Sequence, residues 1–466
     1  MRRPDLTPLI APLAPLAAPA WAVGGGVRDA LMGRSVTDLD VAVDGDAAAA
    51  AAALCRAHGA TRFRLSRAFG AWRVQGGALE AQVDLTPLQG ATIEEDLSRR
   101  DVTVNAMAVP VDAPGSLIDP HDGLGDIEAR RLRLVGPVAF ADDPVRLLRV
   151  ARVAEQIGFS VDPATASSAR RDAHLIWDAP GERLADELGR IARLPRPDRA
   201  VELMDQLGVL GALVPELEAS RGLDQSVYHH KDVLGHTLEV VERTVELAAD
   251  PEPVFRGRAD RVRAALAEPL ADELSRRDAL LFPALLHDMA KPATHAITPE
   301  GRVTFFRHDR LGSEMAGDLM RRLRTSVRLR EFVVACVRWH LPLGFLVHRT
   351  PLSLRQIDRY LRQTSPWEVE IILLTVADRL ATTGRGSETA IRRHLALARE
   401  VMDVHFTLVD RGPVTPLLAG DEIAEELGRQ PGPWLAEVID ALREGQVVGV
   451  IRTDAQARRF VRSYFG

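Results

Sequence analysis

Lysine is almost missing from this chain. Of 59 basic side chains in 466 residues, only Lys231 and Lys291 are lysines, and the other 57 are arginines. Against 65 acidic groups they leave a formal net charge of -6. That excludes a bulk polycation, so any nucleic-acid site must be a local patch. GC-rich coding is an equally good source of the arginine excess. Cysteine is as scarce: Cys55 and Cys336 are too few for a disulfide scaffold or a thiolate zinc site, and they fit a reducing cytosol. No apolar run approaches the roughly 18 residues of a membrane span. Arg2-Arg3 and the apolar stretch at 9–23, with Ala18-Pro19-Ala20 inside it, have the outline of a secretory signal. Prolines at 4, 8, 12, 15 and 19 break the helix such a signal needs. A cytoplasmic protein without membrane contact is expected. There is also no heptad run, short-period repeat or low-complexity tail.

What is present is a globular composition, 46% hydrophobic and 27% charged, long enough for on the order of two to four domains. The first ~125 residues read as mixed α/β. Short β-like runs at 21–23, 39–43, 71–75 and 79–85 alternate with helical stretches. One of these is the alanine run Ala47 to Ala53, with Asp46 as its N-cap. After Asp126 the pattern is helical almost throughout. Leu147, Val150, Val153 and Ala154, and then Leu184, Leu188 and Ile191, fall at helix spacing. Pro195-Arg196-Pro197, Pro251-Glu252-Pro253 and Pro431-Gly432-Pro433 punctuate it.

The head carries the first chemistry. Val23-Gly24-Gly25-Gly26-Val27-Arg28-Asp29 follows a strand and opens a helix. Glycines let backbone N–H groups approach phosphate oxygens, and Arg28 sits within reach of the same phosphates. Standing alone, the cluster is equally a tight turn. Asp38-Leu39-Asp40 lies in an apolar run, so both carboxylates share one face of a strand. Paired carboxylates repel unless a cation lies between them, and magnesium held with substrate phosphates removes the conflict. The plainer alternative is two solvated aspartates at a strand end. Asp84 is a candidate third carboxylate. Arg99-Arg100-Asp101, before Val102-Thr103-Val104-Asn105-Ala106, fits triphosphate and ribose binding or a surface ion-pair cluster.

In this order the motifs resemble the class II tRNA nucleotidyltransferase and bacterial poly(A) polymerase family. The likeness continues through Asp119-Pro120-His121-Asp122-Gly123-Leu124-Gly125-Asp126 and Asp142-Asp143-Pro144-Val145-Arg146-Leu147-Leu148-Arg149-Val150-Ala151-Arg152 to Glu182-Arg183 and Glu187. It implies an α+β fold with a small polymerase β-like nucleotidyltransferase head, then an all-α neck and body. It implies that Asp38 and Asp40 hold magnesium; Asp84 stays the candidate third carboxylate. Gly24, Gly25, Arg28, Arg99, Arg100 and Asp101 would bind the nucleotide, Asp143 and Arg146 would read the incoming base, and Arg149 and Arg152 would line the nucleotide and primer site. The arginines at 146, 149 and 152 lie along one side of a helix. An arginine offers two parallel donors to the acceptor edge of cytosine, and a carboxylate accepts from its amino group. Two departures stand out. Asp142 replaces the family's usual glutamate. Only residues 86–97 lie between Asp84 and Arg99, where complete CCA-adding relatives carry a longer loop. Within the family that shortening marks CC-adding enzymes, which work with a separate A-adding partner. Full CCA addition and poly(A) synthesis are the alternatives.

A second constellation follows: Tyr228 to Thr237 with His236, then His287-Asp288, Arg307-His308-Asp309, Arg338-Trp339-His340 and Ala377-Asp378. Imidazole with carboxylate suits a divalent metal such as zinc, manganese, nickel, iron or magnesium, and phosphoester hydrolysis. It resembles the HD phosphohydrolase superfamily, with His236, His287, Asp288 and Asp378 as the metal ligands. His308 and His340 match extra ligands of its two-metal members, or are core histidines. His229, His348, His394 and His405 are read as structural or solvated. In bacterial relatives this part is credited with phosphodiesterase and phosphatase action on RNA ends.

The expected layout is a head at 1–126, a helical neck and body at 127–225, an HD domain at 226–385 and a helical C-terminal region at 386–466. The last resembles a tRNA-contacting surface, or is plain helical packing. The expected activity is template-free extension of a tRNA 3′ end with CTP or ATP. The rivals are an RNA-end hydrolase that uses the head for docking, and a non-catalytic RNA chaperone.

Overall fold

The computed structural model describes residues 5–17, 19–66, 70–225, 230–383 and 387–465. Arg2, Arg3, Ala18, Tyr228 and His229 lie outside these. Contacts divide the chain into two compact units, residues 1–194 with 199–213 and residues 195–198 with 214–466.

The first unit is built on a six-stranded sheet. Its elements are β1 (Ala20–Val23), α1 (Gly25–Leu31), β2 (Asp38–Val43), α2 (Ala47–His58), β3 (Thr61–Ser66), β4 (Ala71–Gln75), β5 (Gln82–Pro87), α3 (Ile93–Ser98) and β6 (Ala108–Pro110). The spatial order is β3-β4-β5-β2-β1-β6, with β2 and β5 parallel and the other pairs antiparallel. One face is apolar: Leu39, Val41, Val43, Val74, Val83 and Leu85 pack with Val27, Leu31, Ala51 and Leu54, all buried. Burying that apolar surface stabilises the head by roughly 25 cal/mol for each Å² removed from water. Asp46 caps α2 as expected, accepting from the Ala48 N–H at 2.8 Å. The N-terminal apolar stretch belongs to this core, because Leu6, Ile10 and Leu13 pack into it.

Three strand expectations needed correction. The run at 79–85 becomes a strand only from Gln82, because Gly76 and Gly77 adopt positive φ in the turn before it. β3 and β6 went unread because both are edge strands. β3 has almost no buried position, and β6 has only three residues, so neither shows a two-residue alternation.

Helices α4 (Arg146–Ile157) and α5 (Gly181–Ala192) complete the part of the first unit that matters for the site. α4 buries Leu147, Leu148, Val150, Ala151, Val153, Ala154 and Ile157, and ends at Gly158 in the left-handed conformation.

The second unit is helical among the described residues apart from two short strand pairs, Pro269–Ala271 with Leu274–Ser275 and the hairpin His295–Ile297 with Val303–Phe305; a third short pair after Asp126, Arg131–Leu132 with Ser160–Val161, belongs to the first unit. Its main helices are α6 (Val233–Ala249), α7 (Leu281–Leu286), α8 (His308–Arg322), α9 (Val327–Trp339), α10 (Glu368–Leu380) and α11 (Ser387–Arg411). α6 packs on α7 and α10, and α8 packs on α9. α10 is buried without interruption from Val369 to Ala377, which is why its pattern is apolar all round. Three final helices close around Leu418, Ile423, Val438, Leu442, Ile451, Ala457 and Val461. Cys55 and Cys336 are free thiols. No helix among the described residues is long and apolar enough to cross a membrane.

Candidate functional sites in the head and the helical unit

Strand register assembles the carboxylates of the head. Asp40 pairs across to Asp84 on one side and to Val23 on the other, so Asp40 and Asp84 share a row and a face. Asp38 lies two residues back on that face. Crowding by protein atoms pushes the Asp40 carboxyl up, with Arg100 opposing and Asp84 and Asp38 adding to the rise. A divalent cation there would relieve that repulsion, so the residues present fit one. Asp84 accepts two bonds from Arg73, at 2.7 and 2.6 Å. Thr37 and Gln82 donate to Asp38.

Gly24 has φ +75°, and a Cβ there would stand 2.9 Å from Asp40 Oδ2 and 3.1 Å from the Arg100 guanidinium. The loop therefore approaches Asp40 as only glycine allows. Arg28 behaves differently from the expectation of an outward phosphate ligand. It is 3% exposed, and it donates to Asp29 at 2.9 Å and to Asn105 at 2.7 Å, which commits its donors inside the protein. Asn105 is a residue whose role the motif alone did not reveal. Arg100 is held by Asp96 at 3.0 Å, and Arg99 offers its carbonyl to Arg146 at 2.5 Å. Asp101 also turns inward. It accepts from the Val102 N–H at 2.7 Å and pairs with Arg149 at 3.4 Å. Burial opposes its ionisation, but the Arg149 charge and these bonds hold its carboxyl below the usual range.

Asp143 and Arg146 stand together at the start of α4. Arg183 donates to Asp143 at 2.8 Å. Asp143 Oδ1 and Arg146 Nε are buried yet make no hydrogen bond among the described residues. Such orphaned groups cost about 1–3 kcal/mol each until a partner arrives. Arg149 and Arg152 both reach Glu187 of α5, which is 1% exposed, and Arg152 also donates to Gln156 at 2.9 Å. The Glu182-Arg183…Glu187 segment thus holds the polar side of α4 in place.

In the second unit His236, His287 and Asp378 form one trio and Asp288, His308 and His340 another, with ligand atoms within 4.8 Å of one another in each. Asp288 joins the two: its carboxylate lies 3.1 Å from His287 Nε2 and 3.2 Å from His308 Nε2. His236 Nε2 lies 3.0 Å from Asp378. The Nδ1 atoms of His287, His308 and His340 each meet the carbonyl three residues earlier, at 3.0, 2.7 and 2.6 Å. That contact fixes the tautomer and leaves Nε2 as the lone-pair atom aimed inward. The buried Nε2 atoms of His287 and His340 make no hydrogen bond among the described residues. This donor set fits one or two divalent cations. Burial opposes ionisation of Asp288, but its interactions with the adjacent His287 ring and the Lys291 ammonium outweigh it and hold the carboxyl well below its usual range. Burial, with His287 and His308 nearby, pushes His340 down to about 4. Lys291 Nζ bonds Asp288 and Gln225, each at 2.6 Å, whereas Lys231 pairs with Glu239 at 2.9 Å. His394 is buried, in keeping with a structural role, and His405 is partly enclosed beside Phe406.

Comparison with known proteins agrees with this geometry. The chain matches the poly A polymerase head domain over 20–133, the probable RNA and SrmB-binding site of polymerase A over 158–220, and the HD domain over 233–383. It is 32% identical to an A-adding tRNA nucleotidyltransferase of Deinococcus radiodurans over 97% of both chains. It is 34% identical to a CC-adding tRNA nucleotidyltransferase of Thermus thermophilus over 96% of this chain and 94% of the other. Among solved structures, the Thermotoga maritima CCA-adding enzyme complexed with tRNA aligns over the whole of both chains with a TM-score of 0.63 at 18% identity.

Proposed function

The chain belongs to the tRNA nucleotidyltransferase family and is an enzyme of that kind, and from that premise we propose that it adds two C residues to the 3′ end of tRNA, leaving the terminal A to a separate enzyme. One observation carries the CC reading. β5 ends at Pro87 and α3 begins at Ile93, so residues 88–92 alone span the place of the longer loop of complete CCA-adding enzymes. The Thermus relative points the same way, and the Deinococcus relative makes A addition the outcome to test against.

Asp38, Asp40 and Asp84 would hold magnesium, which supplies charge neutralisation at the α-phosphate and the departing pyrophosphate. Gly24 and Gly25 offer backbone donors to the triphosphate, and Arg99 and Arg100 offer charge. Arg28, Asp101 and Asn105 act from beneath, shaping that loop and seating Arg149. The orphaned Oδ1 of Asp143 would accept from the cytosine amino group, and the orphaned Nε of Arg146 would donate to its acceptor edge. Arg149 and Arg152, set by Glu187, line the nucleotide and primer side. The primer 3′-hydroxyl loses its proton and forms a P–O bond at the α-phosphate as the bond to the β-phosphate breaks. Positioning and electrostatics account for most of the rate. In the helical unit, His236, His287, Asp288, His308, His340 and Asp378 would hold a divalent metal set suited to phosphoester hydrolysis. The test offers tRNA ending before CCA with labelled CTP, ATP or both. Two C residues and no A are expected; a completed CCA, or A added to tRNA already ending in CC, overturns the reading.

A further inference from the structure

We propose, resting on the tRNA-extending reading above, that Phe63, on the outer strand of the head sheet, is a base-stacking platform for the tRNA primer. The catalytic row continues past the carboxylates. Asp40 of β2 pairs with Asp84 of β5, Asp84 with Arg73 of β4, and Arg73 with Phe63 of β3. Cross-strand partners share a face, so Phe63 lies on the face that carries Asp38, Asp40 and Asp84. Three strand spacings of about 4.8 Å place it about 14 Å from Asp40. Its ring is 43% exposed, although large aromatics are usually covered.

The direction of attack says what the ring meets. Gly24 and Arg100 flank Asp40 from the β1 side, where the triphosphate is held. On that side the catalytic face is covered, since Ile93 and Leu97 of α3 pack on Val23 and Ala42. Nucleotidyl transfer proceeds in line, so the attacking hydroxyl stands opposite the leaving pyrophosphate. That is the side of β5, β4 and β3. The primer's last nucleotides therefore pass over Arg73, whose charge is taken up by Asp84, and reach Phe63. An exposed ring on the edge strand of a sheet can bind a base by stacking, with little preference for sequence. That tolerance suits an enzyme serving every tRNA.

The test is steady-state kinetics on the full-length protein. Phe63→Ala is expected to raise KM for tRNA about tenfold, the typical loss of one base–aromatic stack. KM for CTP and kcat stay within about twofold of wild type, because nothing on the nucleotide side has moved. Phe63→Leu keeps apolar bulk without the ring and behaves like Phe63→Ala; Phe63→Trp restores the wild-type KM. An unchanged KM for tRNA in the leucine variant overturns the proposal. So does an equal rise in KM for CTP, which would place the ring on the incoming base instead.

Discussion

Asp143 and Arg146 show how single residues can hold unspent bonding capacity. Their orphaned buried atoms are a cost of folding that, on the proposed function, a cytosine edge would recover on binding. Asp143→Ala should remove the acceptor for the cytosine amino group. The preference for CTP over UTP should fall by about 1–3 kcal/mol, read as the ratio of kcat/KM values. Gly24 is the other residue whose chemistry is purely spatial. Gly24→Ala places a methyl at 2.9 Å from Asp40 on a backbone with φ +75°, so one of the two must shift. A displacement near 1 Å is expected to lower kcat roughly a hundredfold. CMP incorporation by Asp38→Ala should vanish, and normal incorporation by it would count against the whole assignment of the head.

At the scale of elements, α4 and the segment after the head are held by buried carboxylates. Glu187 neutralises Arg149 and Arg152 from α5. Glu187→Ala leaves Arg149 with Asp101 alone and strips Arg152 of its carboxylate partner, and should cost about 3 kcal/mol in denaturant titration. Asp126 plays the same part under the head. It is fully buried, takes the Thr103 hydroxyl at 2.6 Å, and pairs with Arg131 and Arg133 at 2.6 and 2.8 Å. Burial opposes its charge, but these bonds outweigh burial and hold its carboxyl below the usual range. A depressed folded-state pKa contributes stability above the unfolded value, and that contribution is lost as pH falls through the folded one. Thermal midpoints of wild type and Asp126→Asn should therefore differ by a constant amount from pH 8 to pH 5. The gap should close below about pH 4, where the unfolded carboxyl takes its proton.

For the whole molecule, the proposed function assigns a separate chemistry to each of the two compact units. His287→Ala should remove phosphatase activity from the helical unit and leave CMP transfer intact; phosphatase activity that survives would refute the histidine–aspartate site. A chelator should stop both activities, with different metals restoring each. That assignment also accounts for how little net charge says about nucleic acid: the arginines proposed to meet nucleotide and primer sit on one helix and one loop of a chain that is acidic overall.

Much of this was legible in the chain. Short-range spacing determines which groups share a face, so Asp38 and Asp40, the arginines of α4 and the core stripe of α5 could be read directly. The ordered motifs carried the family. What no local pattern contains is pairing between distant segments. Parallel register put Asp84 beside Asp40, and the antiparallel register of the next two strands led on to Phe63. Packing alone turned Arg28 and Asp101 inward, and brought His236 to Asp378 across 142 positions. A side chain's chemistry is a property of its residue type. Its direction and its neighbours are decided by burial and long-range hydrogen bonding, and these exist only once the chain has folded.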